Sequence, residues 1–173
     1  LQANYNYANR YFAEFSASAQ ASSRFGSHTK DGFRLAGVSW GFFPSLQLGW
    51  ILTNEKWFKP SRNVNYLKAT FGIEQSGNDN LDYYASRTYW ETDQVFENVF
   101  GKYLTNLANS ELQWETVRKI NVGVEGSFFN NRLNVRLNYF KSWTSNLLSL
   151  SQLAWTSGLK ENWSNDGKLE NEG

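Results

Sequence analysis

The chain has no cysteine, no methionine, one histidine and two prolines in 173 residues. Without cysteine there is no disulfide framework, no thiolate metal site and no Cys nucleophile. A thiol-free chain also fits an export route. There is no initiator methionine and no visible signal peptide, and Leu1 already stands inside a strand-like stretch, so the chain reads as an internal piece of a longer polypeptide. The one imidazole, His28, sits in a polar loop with no second His or Cys, which speaks against metal ligation and triad chemistry. Ser22, Ser23, Ser149 and Ser151 have no partnered base, and Gly72 and Gly77 form no phosphate loop. An enzyme is therefore not expected. The net charge of +1, with Lys and Arg scattered, gives no basic stripe for nucleic acid. No segment approaches the ~18 consecutive apolar residues of a membrane helix, but a spanning β-strand needs only ~9–11.

What is present is aromatic and hydrophilic at once. Aromatics make up 17% of the chain, with 8 Trp, 9 Tyr and 13 Phe, yet the mean hydropathy is −0.58. Barrels of the bacterial outer membrane combine these traits, because girdle aromatics coexist with lumen-facing polar residues and wet loops. The patterning agrees. From Tyr11 to Ser22 the odd positions are Tyr11, Ala13, Phe15, Ala17, Ala19 and Ala21, and the even ones after Phe12 are Glu14, Ser16, Ser18, Gln20 and Ser22. Such alternation describes a strand with one apolar and one wet side.

The same period predicts strands over Leu1 to Tyr7, Ser39 to Leu52, Tyr66 to Gln75, Val117 to Phe128 and Leu133 to about Trp143. Ala8-Asn9-Arg10 and Phe129-Asn130-Asn131-Arg132 read as tight turns. Pro44, lacking a donor, predicts an edge or bulge. A helical turn is expected near Asn54 to Phe58. Residues 76–115 read as the longest connection, and 145–173 as a polar, irregular tail. Phe140 and Lys141 break the last alternation. Short and long connections alternate, as in outer-membrane barrels, and Tyr5, Tyr7, Tyr11, Trp50 and Tyr66 are expected at the short-turn end as an interfacial girdle. A one-residue slip of Tyr66–Gln75 would turn Lys68 and Glu74 toward lipid, and a midplane Lys costs ~2–4 kcal/mol, so the register is well specified.

The fold class this predicts is all-β, an antiparallel up-and-down meander forming part of a transmembrane β-barrel. The alternative is a soluble all-β carbohydrate-binding or adhesion module. That fold would need Trp40, Leu48 and Trp50 buried between two sheets.

Several motifs sharpen the choice. Asn4-Tyr5-Asn6-Tyr7-Ala8-Asn9-Arg10-Tyr11 is followed by Ser22-Ser23-Arg24-Phe25-Gly26. Then come Phe43-Pro44-Ser45-Leu46-Gln47-Leu48-Gly49-Trp50 and Tyr66-Leu67-Lys68-Ala69-Thr70-Phe71-Gly72. Leu112-Gln113-Trp114-Glu115-Thr116 precedes Asn121-Val122-Gly123, and Phe129-Asn130-Asn131-Arg132-Leu133 and Asp166-Gly167-Lys168-Leu169-Glu170-Asn171-Glu172-Gly173 complete the set. In this order they resemble the barrel of SusC/RagA-like TonB-dependent transporters over nearly the whole chain.

The resemblance implies a large barrel of ~22 strands with a plugged lumen, in the bacterial outer membrane. It implies import of oligosaccharide or peptide, a SusD-like surface lipoprotein as lid, and TonB acting through a plug that lies N-terminal to the barrel and outside this segment. Residues 1–173 would then be a partial barrel, with lipid on one side. In the 76–115 loop, Tyr83, Tyr84, Tyr89 and Trp90 are candidates for substrate or lid contact, since aromatic faces stack on sugar rings; packing of the loop on itself is the plainer reading. Trp114 and Glu115 are expected to anchor that loop to the wall. No cofactor is expected. Asp79, Asp82, Glu91, Asp93 and Glu97 leave calcium as a weak alternative to a solvated acidic loop, because their order lacks the EF-hand spacing.

Overall fold

In the computed structural model, residues 1–59, 61, 63–159 and 161–173 are described. The main sheet is built from β1 (Gln2–Tyr7), β2 (Tyr11–Ser22), β3 (Phe33–Leu35), β4 (Val38–Ile51), β5 (Val64–Asn78), β8 (Glu115–Phe128), β9 (Leu133–Gln152) and β10 (Glu161–Glu172). Its order is β1-β2-β4-β5-β8-β9-β10, every pair antiparallel, with β3 added beside β4. A separate hairpin, β6 (Tyr89–Phe96) and β7 (Val99–Asn106), occupies the middle of the longest connection.

The 76–115 segment, read as one long connection, carries that hairpin. Two expectations are corrected. The 145–173 segment is not an irregular tail, because β9 runs on to Gln152 and β10 returns along it. The helical turn also lies earlier than expected, as a 3-10 turn at Leu52–Asn54. The tight turns form as read. In the three-residue turn between the paired Tyr7 and Tyr11, Ala8 and Asn9 both have φ of 52°, in the left-handed region, and Arg10 N–H donates to the Tyr7 carbonyl.

Pairing sorts the side chains into two faces. One tier joins Ala13, Leu48, Phe71, Val122 and Tyr139; the next joins Phe15, Leu46, Ile73, Ile120 and Lys141. The opposite face carries polar cross-strand pairs: Glu74–Lys119 at 3.6 Å, Glu125–Arg136 at 2.9 Å and Ser16–Ser45 at 2.9 Å. Each exposed ion pair contributes under about 1 kcal/mol, so these pairs do more to keep a face wet than to hold the sheet. On the apolar face, Leu48 is 42% exposed, Val122 45% and Leu137 67%. Among the described residues no second layer covers them. A sandwich would bury this face, so the soluble alternative does not describe the fold.

The apolar band crosses the tiers obliquely. Its outward row ends at Trp40 on β4, at Ile73 on β5 (before Gln75), at Ile120 on β8 (before Arg118) and at Tyr139 on β9 (before Lys141). Strands of a barrel tilt about 35–45°, so a tier climbs relative to a flat membrane. Lys141 therefore continues the alternation, one step above the band, where its ammonium pairs with Glu170 and Glu172 of β10. Phe140 faces the wet side, under Lys119. From Trp40 to Trp50 the strand rises about 33 Å, which at a tilt near 40° spans about 25 Å of depth, the height of an apolar barrel band.

Aromatics mark both borders of that band. Phe33 stacks on Trp40 at 5.9 Å at the long-connection end; Tyr7, Tyr11 and Trp50 stack in sequence at 6.4 and 6.3 Å at the other. Tyr66 departs from the expected girdle. It pairs with Ser127 on the wet face.

In the full-length barrel, Val122→Lys is expected to destabilise by about 2–4 kcal/mol. Asn121→Lys, one residue away on the wet face, is expected to change stability by less than about 1 kcal/mol. Equilibrium unfolding from lipid vesicles measures both.

Candidate functional site: a loop crown on the wall

Three connections meet at the long-connection end, and there lies the buried core. Phe25, Phe43, Leu81, Ala85, Leu112 and Trp114 form it, with Leu148 and Trp163 packed against it. Leu112 is fully buried and Trp114 nearly so. The wall itself creates the seat. Pairing of β4 with β5 stops at Ser45, one residue after Pro44, which has no N–H to give. Above this point the two strands part, and the Gln75 side chain donates to the Phe42 carbonyl across the gap. The Phe43 ring lies over Gly41 and Gly77, where a Cβ would meet it at 2.4 and 2.1 Å. The Trp114 ring meets Phe43 edge-on at 5.3 Å and Phe25 at 4.8 Å.

Side-chain amides and backbone bonds tie the loops to this core. Gly26 N–H donates to the Leu112 carbonyl at 2.8 Å, and a Cβ on Gly26 would strike Ser110. The Gln113 side-chain oxygen accepts from Lys30 and Asp31 N–H, while Gln113 and Asn165 exchange two bonds, 2.9 and 3.0 Å. Asn106, at the foot of β7, donates to the Ala85 and Arg87 carbonyls. Glu115 accepts from Leu148 N–H and from Asn78. Trp114 and Glu115 thus anchor the longest connection to the wall.

The four candidate aromatics are not gathered into one platform. Tyr83 and Tyr84 are exposed in the turn before the hairpin, with Arg24 over the first ring at 4.7 Å and Arg87 over the second at 5.9 Å. Tyr89 and Trp90 are successive strand residues, which point to opposite faces; Trp90 is exposed and Tyr89 half-buried. None of the four stacks on another among the described residues. The hairpin also exposes Val95, Phe96, Val99 and Phe100 near its tip, a feature the sequence reading missed. The acidic candidates scatter: Asp79 lies by Arg24, Glu91 accepts from Tyr103, and among the described residues no three ligating side chains come together. His28 is exposed and bonds to Ser27.

At the short-turn end the polar centre is Glu55, buried in the 52–63 connection. Its carboxylate accepts from Tyr11 at 2.6 Å, Trp50 Nε1 at 3.0 Å and Arg10 at 3.2 Å. The Tyr11 bond, then those of Trp50 and Arg10, hold the Glu55 carboxyl below its usual range, against the opposing effect of burial. The clamp binds the first hairpin to the 52–63 connection.

A single sheet with an uncovered apolar belt between two aromatic borders, wet on its other face and crowned by loops at one end, is a section of transmembrane β-barrel wall. The profile of the family described as "TonB dependent receptor-like, beta-barrel" matches residues 1–173, and the chain belongs to that family. The family is one of outer-membrane β-barrel receptors rather than enzymes. The chain is 30% identical over 173 residues to TonB-dependent receptor P3 of Formosa agariphila, covering 98% of the chain and 16% of that relative. It is 29% identical over 178 residues to TonB-dependent receptor SusC of Bacteroides thetaiotaomicron, covering 98% and 17%. It therefore spans about one sixth of these relatives. The structure of the RagAB peptide transporter matches with a TM-score of 0.83 at 24% identity, over 98% of this chain and 18% of that one. The RagAB peptide importer in its closed-closed state matches with 0.83 at 23%, over the same shares. At these identities the structural likeness speaks for the fold alone.

Two outcomes are expected. Trp114→Ala removes the centre of the crown and costs about 3–5 kcal/mol locally. Limited proteolysis should then cut within 79–114 much faster while the wall strands stay protected. Glu55→Gln tests the clamp. Because the folded-state pKa lies below the ordinary Glu value of about 4.3, the charge stabilises fully above that value and the gain is lost as pH falls through the folded value. The thermal-stability gap between the native protein and Glu55→Gln should be complete at neutral pH and close on acidification.

Proposed function

We propose that this chain forms part of the wall and the extracellular crown of an outer-membrane nutrient importer. It would carry oligosaccharide or peptide under a SusD-like lipoprotein lid, with TonB pulling on a plug elsewhere in the parent protein. The observation that carries the reading is the two-faced wall with unpaired edges. Among the described residues β1 pairs only with β2, and β10 only with β9. Open strand edges are not stable in a bilayer, so further strands must close the cylinder, and this section is one part of it. The wet face then lines a lumen. The likeness to SusC and to the RagAB peptide importer supports a transport role.

In this reading the crown meets what enters. Tyr83, Tyr84, Tyr89 and Trp90 contact substrate or lid, and the apolar hairpin tip gives the lid a dry surface to press on. The wall contributes shape and insulation, not bond-making chemistry.

Deleting the gene from its host should abolish energised uptake of at least one oligomeric nutrient, as should collapsing the proton gradient. Undiminished uptake of every oligomer in the medium would contradict the reading. Replacing Tyr83, Tyr84, Tyr89 and Trp90 together with Ala should slow uptake severalfold while barrel insertion is unchanged. Native rates would remove these residues from the contact surface.

A further inference from the structure

The crown holds an open-mouthed cavity of about 510 Å³ between the end of β2, the β3–β4 hairpin and the loops on either side of the β6–β7 hairpin. This is within the size range of small-molecule sites, about 300–1,000 Å³. Its lining includes Ser22, Ser39, Ser86, Ser110, Arg34 and Arg87. Register puts three of these together on the wet face, since Ser39 is the strand partner of both Ser22 and Arg34.

The two arginines set its chemistry. Arg34 donates to the Ser27 and Gly37 carbonyls, which fix its guanidinium without neutralising it. Arg87 rests over the Tyr84 ring. Neither forms an ion pair among the described residues, whereas Arg10, Arg24, Lys30, Lys119, Arg136 and Lys141 each lie within ion-pair distance of a carboxylate. Among the described residues no Asp or Glu lines the cavity. Two guanidinium groups facing a polar hollow without counter-charge favour an anion, and their planar forks suit a carboxylate. The remainder of the lining is dense in hydroxyls. Ser39 is held by Thr29 at 3.0 Å and Ser86 donates to the Phe25 carbonyl, so both are positioned, while each hydroxyl oxygen keeps acceptor capacity.

We propose that this cavity is a subsite for an acidic oligosaccharide, its carboxylate held between Arg34 and Arg87 and its ring hydroxyls met by the serines. The proposal rests on the importer reading, since it places substrate at the lumen mouth. An acidic peptide shares the charge, but the hydroxyl-rich lining favours the sugar.

The test uses the full-length protein in detergent, with tetragalacturonate, neutral maltotetraose and tetraglutamate as probes in calorimetric titrations. Tetragalacturonate should bind at least tenfold more tightly than maltotetraose. Arg34→Gln combined with Arg87→Gln should abolish that preference, so that the acidic and neutral sugars bind alike, and Arg34→Lys, which keeps the charge but not the planar fork, should retain only part of it. Because Arg34 also braces its loop, Arg87→Gln alone serves as the second variant and should weaken tetragalacturonate severalfold. Equal binding of the acidic and neutral sugars, or a preference that survives the double variant, would overturn the site. Tighter binding of tetraglutamate would overturn the saccharide assignment. Gene deletion tests the importer reading separately, so a charge-blind cavity in a working importer and a binding protein that imports nothing give different results.

Discussion

A bilayer gives no hydrogen bonds to a backbone and little tolerance to charge, and the wall depends on that constraint. Every long strand satisfies it in the same way. Across the band β2, β4, β5, β8 and β9 are paired on both sides and their outward rows are apolar, on β4 over about 25 Å of depth. The inward row is free to be polar and is. The placement of charge follows from the tilt of the strands. Lys141 and Arg118 belong to the outward row, yet each stands one step above the greasy band on its own strand, and Lys141 is neutralised there by Glu170 and Glu172.

The crown depends on a local failure of the same sheet. Pro44 ends the β4–β5 ladder, the strands diverge, and Phe43 and Trp114 fill the opening over Gly41 and Gly77. A proline that would be a defect in a central strand thereby becomes the seat for three loops. The loops then bury Leu112 and fix the serines and arginines of the cavity. The opposite end is held differently, by one carboxylate with three donors inside an aromatic border. The molecule thus has a hydrophobic anchor where loops must be shaped and a polar clamp where turns must be short.

Much of the wall was legible because one face meets lipid and the other water, which forces a period of two. β2, β4, β8 and the lower half of β9 are read from that period nearly to their ends. The sequence was silent where the two-sided contrast fades. The β6–β7 hairpin stands clear of the wall with both faces exposed, so Tyr89 to Asn106 shows no alternation. β10 has its outward glutamates above the band and an Asp166-Gly167 pair at a register shift, which imitates a turn. Tyr66 shares the strand parity of Lys68 and Glu74, and that parity, not its aromatic ring, sets it on the wet face. Tyr83, Tyr84, Tyr89 and Trp90 all lie in the longest connection but not in one cluster. The cavity was illegible, because Ser22, Arg34, Ser39, Arg87 and Ser110 come from distant stretches that only loop packing unites.

The central claim is that the outward row touches lipid along an oblique belt. Single cysteines can report it, since this stretch has none of its own. In the full-length barrel, freed of other cysteines and reconstituted in vesicles, spin labels would be placed one at a time by Leu48→Cys, Gln47→Cys, Tyr139→Cys, Asn138→Cys and Lys141→Cys. Their collision rates with oxygen dissolved in the bilayer and with a water-soluble nickel chelate are then compared. The account requires oxygen to dominate at positions 48 and 139, and the chelate to dominate at 47, 138 and 141. Chelate access at 48 and 139 equal to that at 47 and 138 would contradict it.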